Sequence, residues 1–490
     1  MVAFQRRPIM HPGTGRGSRR EALRCRIMTR MSDPILPPET AEPAESVETP
    51  GSGGTASAVP SLIVRTLRLD ETVDLLGHIP LAVSGAWLRH GQGMVALGTA
   101  WSVQTIGPHR FAAASAAFQA VAAAARVDDE VRTRTSGLIA LGSFSYADTS
   151  QRSSRLMVPS ALLGVHDGES FLTVVGVDEE PVVPTSWRDL FPSTPLQPSP
   201  SDELEVEADH TPDEYQALVQ EAVTEIRAGR AEKVVLSERT TVTAEHRIEP
   251  AVLLANLARD YPSTWVYHLD DVIGASPEML AQTETGRVFS RVLAGTRPVA
   301  DDGELDEVDR RAFRSDAKEL SEHAFAVDSV VERLAGLAED IDVSPEPFVL
   351  RLPGLEHLAS DVSARLRSGT TSVDVASRLH PSAAVSGTPR EAADEIIARL
   401  EPHDRGGYAS PVGWMDAAGD GQWAIALRMA HLNAQRVVTL QAGGGLVAAS
   451  DPVSEHAEVL AKCRPMLRAL RGTPTASEIE ETPPEPLLGA

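Results

Sequence analysis

Along residues 61–200 the apolar positions fall in short runs, SLIVRTL (61–67), MVALGTA (94–100) and FLTVVGV (171–177), each cut off by turn-forming residues. Runs of that length predict β-strands, with one helix between them over the Ala-rich segment 111–126. The second half has longer periods. Thr211 followed by Glu214 reads as a capping box that opens a helix, and Gly229 can close it. EKVVLSERTTVT (232–243) predicts a strand, and residues 304–338 predict one long amphipathic helix. Thr388-Pro389-Arg390-Glu391 reads as another helix start, with Pro at the first helical position. Asp451-Pro452 opens a last helix running to about residue 470. No internal repeat breaks this series. The mixture of elements, without alternating βαβ units, makes the fold class α+β.

Three stretches interrupt the periodic pattern. Residues 32–60 are rich in Pro, Glu, Ser, Gly and Thr, and 192–202 and 472–490 are similar in kind. We read the first and last as disordered and the middle one as a separator. The chain then divides into an extension (1–60), a mostly stranded first part (61–200), a chemistry-bearing region (205–470) and a tail (471–490). The first 30 residues hold eight arginines and the single acid Glu21, without the apolar middle of a secretory signal. An unstructured extension is the expectation there.

Composition narrows the function classes. The hydrophobic fraction of 42% suits a globular protein, and aromatics at 4% leave the core to Val, Leu, Ile and Ala. A net charge of −24 argues against nucleic acid and anionic membranes as partners. No apolar run approaches the roughly 20 residues of a membrane span. Two cysteines, Cys25 and Cys463, make no disulfide framework, which fits a reducing cytoplasm. The expected partner is a small molecule, with the chain a monomer or at most a weak dimer.

Lysine is scarce: Lys233, Lys318 and Lys462 are the only three among 45 basic residues. Arg stays protonated at any ordinary pH, whereas a lysine amine can serve as a base. Glu319 and Glu322 share one face of a predicted helix, and Glu455 and Glu458 repeat the spacing with Lys462 four residues on. Solvated faces are the ordinary role of such pairs. Two of them converging would instead suit a hard divalent cation such as Mg²⁺. Lys233, in KVVLSER, is a candidate base, and Glu278, after the predicted Gly-Ala-Ser-Pro turn in GASPEML, is a candidate acid. Gly295-Thr296 and Gly443-Gly444-Gly445 offer open backbone N–H groups, Arg428 and Lys462 can pair with carboxylates, and Tyr408 can donate a hydroxyl.

LSERTT, GASPEML, AGTRP, KELSEH, LHPSAAVSGTPREAA, RGGYASPVGWMD, IALRMA and AGGGLVAASDP occur in the order found in chorismate-utilising enzymes, which residues 205–470 closely resemble. Within that family the chain most resembles the isochorismate synthases. The resemblance implies a single domain of two large antiparallel β-sheets flanked by helices. It implies an isomerase that converts chorismate to isochorismate for menaquinone or siderophore biosynthesis.

Carried onto this sequence, Lys233 matches the base that activates water for attack at C2, and Glu278 the acid that protonates the departing C4 hydroxyl. Glu322 and Glu458 match the principal Mg²⁺ ligands, with Glu319 and Glu455 behind them. Gly295, Thr296, His357, Tyr408, Arg428, Gly443, Gly444, Gly445 and Lys462 match groups that hold the substrate. The related anthranilate synthases usually carry Gln in place of Lys233. Ala294 stands where aminodeoxychorismate synthases place a nucleophilic lysine. Salicylate synthase, which goes on to release pyruvate, is the alternative. Ser382 and Ala383 depart from the usual Thr and Pro of the isochorismate branch.

Overall fold

The computed structural model describes residues 59–193, 203–298, 307–352 and 355–472. Nearly all of the extension and tail expected to be disordered, 1–58 and 473–490, falls outside the described residues, as does most of the separator, 194–202. The fold is α+β, with two large sheets. The first has thirteen strands. It runs from Leu204–Ala208 through Lys233–Ala244, Val437–Leu446, Met429–Ala434, Val272–Ser276, Trp265–Leu269 and Val83–Arg89 to Leu62–Leu69 and Arg126–Asp129. Among its described pairings only that of Leu62–Leu69 with Arg126–Asp129 is parallel. The second has ten strands and runs from Ala338–Val343 through Leu355–Leu366, Arg287–Pro298, Met279–Glu284, Gly421–Ile425, Pro411–Asp416 and Ile139–Ser143 to Trp101–Thr105.

Strand alternation feeds two cores. Tyr267, Leu269 and Val272 point into one, shared with Trp414 and Trp423 of the second sheet and with the helices Arg110–Ala124 and Ser372–Leu379. Val266 and Ile273, one residue out of step, point into the other, where they meet the helices Pro212–Arg227, Pro250–Asp260, Arg390–Leu400 and Pro452–Arg471. A strand buried on both faces reads as a continuous apolar run, which is why FLTVVGV lacks clean alternation, whereas along Leu62–Leu69 buried and half-buried positions alternate. Two of the few aromatics lie deep inside: Trp414 and Trp423 are 1% and 0% exposed. Each such burial is worth about 1.5–3 kcal/mol.

The helix starts follow local chemistry. Thr211 caps Pro212–Arg227 with the full reciprocal box, and Gly229 leaves the helix at φ +77°. Asp451 caps Pro452–Arg471 by accepting from Ser454 N. Three expectations need correcting. In place of one helix over 304–338, the described residues from 307 on form two, Glu307–Arg314 and Ala317–Leu334. The break comes at Ser315-Asp316, where Asp316 accepts from Glu319 N and so restarts the helix. Pro389 is the N-cap of Arg390–Leu400, not its first residue, because Thr388 belongs to the short strand Gly387–Thr388 paired with Lys233 and Val234. Gly274, Ala275 and Ser276 form no turn: they end a strand, and only Pro277 and Glu278 link it onward.

Candidate active site

The site lies where the chain passes from one sheet to the other. Val272–Ser276 belongs to the first sheet and Met279–Glu284 to the second, so Pro277-Glu278 is a crossing point. Ala426–Arg428 is another, between Gly421–Ile425 and Met429–Ala434. The crossings brace each other. Ile425 N donates to the Glu278 carbonyl at 3.0 Å, Ala275 N donates to the Arg428 carbonyl at 3.2 Å, and the Ser276 hydroxyl donates to the Ile425 carbonyl at 2.6 Å. Arg428 takes a left-handed φ of +49° there.

Lys233 and Glu278 line one cavity of about 380 Å³. Burial pushes the Glu278 carboxyl up to about 7, although Lys233, Arg428 and Lys462 are near enough to pull it down. The same cations identify the far side of the site. Burial, then Lys462 and Arg428, push His357 down to about 4, so it is neutral at ordinary pH. His357 lies opposite Thr296 in the pairing of Leu355–Leu366 with Arg287–Pro298. That ladder is bulged at Gly295, whose φ is +77°. A β-carbon on Gly295 would come within 3.2 Å of Glu319 Oε2, which places the Glu319 carboxylate against this strand.

Gly443, Gly444 and Gly445 form no loop; they lie in Val437–Leu446 opposite Ser237, Leu236 and Val235. Their missing side chains leave room for others. A β-carbon on Gly444 would meet Glu455 Oε2 at 3.1 Å, and one on Gly445 would meet Lys233 Cε at 2.8 Å. Lys462 Nζ donates to the Gly443 carbonyl at 2.8 Å and pairs with Glu458 at 2.5 Å. Burial lowers the Lys462 amine from its ordinary value. Tyr408 is 3% exposed, and burial raises its hydroxyl well above the ordinary range.

Glu319 lies in the first turn of Ala317–Leu334 and Glu455 in the first turn of Pro452–Arg471, with Glu458 one turn on. The side chains of Glu322, Thr296 and Lys318 are outside the described set. Among the described residues no group of three His, Cys, Asp or Glu is arranged to hold a metal. The donor chemistry nonetheless fits a hard divalent cation. Burial and the neighbouring Glu458 raise the Glu455 carboxyl, against the opposing pull of Ser450 and Lys462, and carboxylate oxygens are the ligands such a cation takes.

The structure therefore puts Lys233 and Glu278 on one cavity, and places Arg428, Lys462 and His357 close enough to act on the same charges. Gly295, Glu319, Tyr408 and the glycine run flank them. The motif reading passed over one wall of the cavity, formed by Ser321, Phe325, Ser329 and Arg333 of Ala317–Leu334. Their i, i+4 spacing was the available signal. Ser382, Ala383 and Ala384 line the cavity as well.

Residues 87–471 match the family model described as chorismate binding enzyme. A Mycobacterium tuberculosis protein provisionally named isochorismate synthase MenF is 39% identical over 255 residues, 49% of this chain and 68% of that one. The anthranilate synthase component 1 of Streptomyces coelicolor is 39% identical over 277 residues, 55% of this chain and 54% of that one. The solved structure of MenF, the menaquinone-specific isochorismate synthase of Escherichia coli, superposes with a TM-score of 0.69 at 23% identity. It covers 85% of this chain and 96% of that one, a likeness of fold. With a family match spanning most of its length and a site built at the seam of the same two sheets, the chain belongs to the chorismate binding enzymes.

Proposed function

We propose that this protein is an isochorismate synthase, an isomerase that moves a hydroxyl from C4 to C2 of chorismate. The observation that carries the reading is the pairing of Lys233 with Glu278 on one cavity, with the Glu278 carboxyl near 7. Relatives named as isochorismate synthases support it, but a relative named as an anthranilate synthase component is as similar in sequence, so identity alone does not choose the branch. The amine at position 233 favours the branches that use water as the nucleophile, isochorismate and salicylate synthases, over the ammonia-using one.

Lys233 takes a proton from water as the oxygen bonds to C2. The ring double bonds shift, the C4–O bond breaks, and Glu278 gives its proton to the departing hydroxyl. One water enters and one leaves, with no change in oxidation state. A carboxyl near 7 is protonated often enough at neutral pH to donate, which an ordinary glutamate is not. Arg428 and Lys462 hold the carboxylates of the substrate, and neutral His357 faces it without adding charge. Tyr408, Gly295, Thr296, Gly443, Gly444 and Gly445 complete the pocket.

Mg²⁺ would be held by Glu458 and Glu322, with Glu319 and Glu455 behind them, and when bound it supplies charge neutralisation at the ring carboxylate. The protein is proposed to work in the cytoplasm as a monomer or weak dimer; among the described residues no helix is long and apolar enough to cross a membrane. Incubating purified protein with chorismate and Mg²⁺ and separating the products by chromatography tests the reading. Isochorismate is expected. Salicylate with pyruvate would assign it to the salicylate synthases, and unconsumed chorismate would remove the catalytic reading altogether.

A further inference from the structure

The strand that carries Lys233 is only partly covered along its outer edge. Leu204–Ala208 pairs with residues 240–244, and Gly387–Thr388 pairs with Lys233 and Val234. Between them the edge is closed by a loop and by two side chains. Val235 N donates to the Ser386 carbonyl at 2.7 Å, and the Val235 carbonyl accepts from Arg405 Nη2 at 2.8 Å. Ser237 gives both its N–H and its hydroxyl to Glu401 Oε1, at 2.8 and 2.9 Å.

Arg405 is the hub. Its Nη1 donates to the Val385 carbonyl at 2.7 Å, while Nε and Nη2 grip the Glu401 carboxylate at 2.7 and 2.6 Å. The guanidinium lies 4.6 Å over the Tyr146 ring. Arg405 and Glu401 are 3% and 7% exposed. A buried ion pair is weak evidence of stabilisation, since apolar residues of similar volume often serve as well. What apolar residues would not do is bind the two carbonyls, Val235 and Val385, that belong to the two segments flanking the cavity. One carries Lys233, and the other continues from Ser382–Ala384.

We propose that Arg405, braced by Glu401, is a positioning residue that locks the Lys233 strand to the 382–388 segment and so aims the Lys233 amine across the cavity at Glu278. The proposal rests on the reading of Lys233 as the base. Arg suits the task because its planar fork serves several oxygens at set angles, which a single ammonium does not.

The test uses the full chain with Arg405→Lys and, should that variant fail to fold by circular dichroism and gel filtration, Glu401→Gln. Two quantities are read: kcat and KM for chorismate, and the acetylation rate of Lys233 at one pH. The second is followed by peptide mass spectrometry against Lys318, and only three native lysines make it tractable. The expected result is a kcat at least tenfold lower, a KM within threefold, and a Lys233:Lys318 labelling ratio altered at least threefold. A folded variant with wild-type kcat overturns the proposal, and so does a fall in kcat with an unchanged labelling ratio. If wild-type protein consumes no chorismate, the assigned function fails, and the labelling ratio alone decides the positioning role.

Discussion

Lys233 and Gly445 approach so closely across neighbouring strands that a β-carbon at 445 would lie 2.8 Å from Lys233 Cε and 3.4 Å from Nζ. The absence of one side chain thus makes the path along which the proposed base reaches its cavity. Gly445→Ala is expected to fold, because the obstructing atoms are the far end of a flexible side chain. It should lower kcat about tenfold, equivalent to about 1.4 kcal/mol in the barrier. Steady-state kinetics beside a thermal melt would check it; unchanged kcat would show that the amine does not work from this position.

Removing either proton carrier should be far more damaging. Lys233→Ala, Lys233→Arg and Glu278→Gln are each expected to cut turnover by about 10²–10⁴-fold. Chorismate binding, measured by calorimetry, should largely survive in Lys233→Ala and Glu278→Gln. Lys233→Arg is the sharpest of the three, since it keeps the positive charge and removes the basicity.

The raised Glu278 carboxyl ties both activity and stability to pH. As the acid, it should give a kcat/KM that declines as pH rises through about 7. Its ordinary value is 4.5, so the folded protein holds this proton more tightly than the unfolded chain does. The resulting contribution to stability is fully present below 4.5 and is lost as pH rises through about 7. Glu278→Gln, which cannot ionise, should therefore gain about 2–3 kcal/mol on wild type between pH 4 and pH 8, read by denaturant unfolding without metal. An equal offset at both pH values would refute the shifted carboxyl.

Glu458 is held 2.5 Å from Lys462 yet is also proposed to bind Mg²⁺. Glu458→Gln should raise the Mg²⁺ concentration for half-maximal activity at least tenfold. Lys462→Met, which releases Glu458, should instead raise the KM for chorismate while leaving Mg²⁺ binding as tight or tighter. Titration of each variant with Mg²⁺ by calorimetry separates the two.

Local chemistry made much of the frame legible. The reciprocal box at Thr211 and the Asp451 cap depend on residues within one turn, and both helices begin there. The strand of Lys233 and the Pro452–Arg471 helix follow from periodicity in the same way, whereas the helix of Glu319 was legible only as part of a longer one. What failed depended on distant partners. GGG suggests a loop until Lys233 and Glu455 are seen to need the room, and GASP suggests a turn until the sheet beside it is known. Thr388 satisfies a helix-start rule, but the open edge at Lys233 claims its backbone first. Glu401 and Arg405 were silent for a related reason: a charged pair four apart looks like any exposed helical pair until its burial is known.

Both sheets draw strands from both halves of the sequence. Val83–Arg89 lies between Gln92–Leu97 and Trp265–Leu269, and Ile139–Ser143 pairs with Pro411–Asp416. The family motifs nevertheless all fall after residue 204. A fragment cut to retain only them would carry every group proposed for the chemistry and still expose two unpaired strand edges, at Trp265–Leu269 and Pro411–Asp416, as templates for aggregation. The motif-poor half thus acts as a cover: its strands occupy the two edges along which the motif-bearing half would otherwise be open to pairing with another chain.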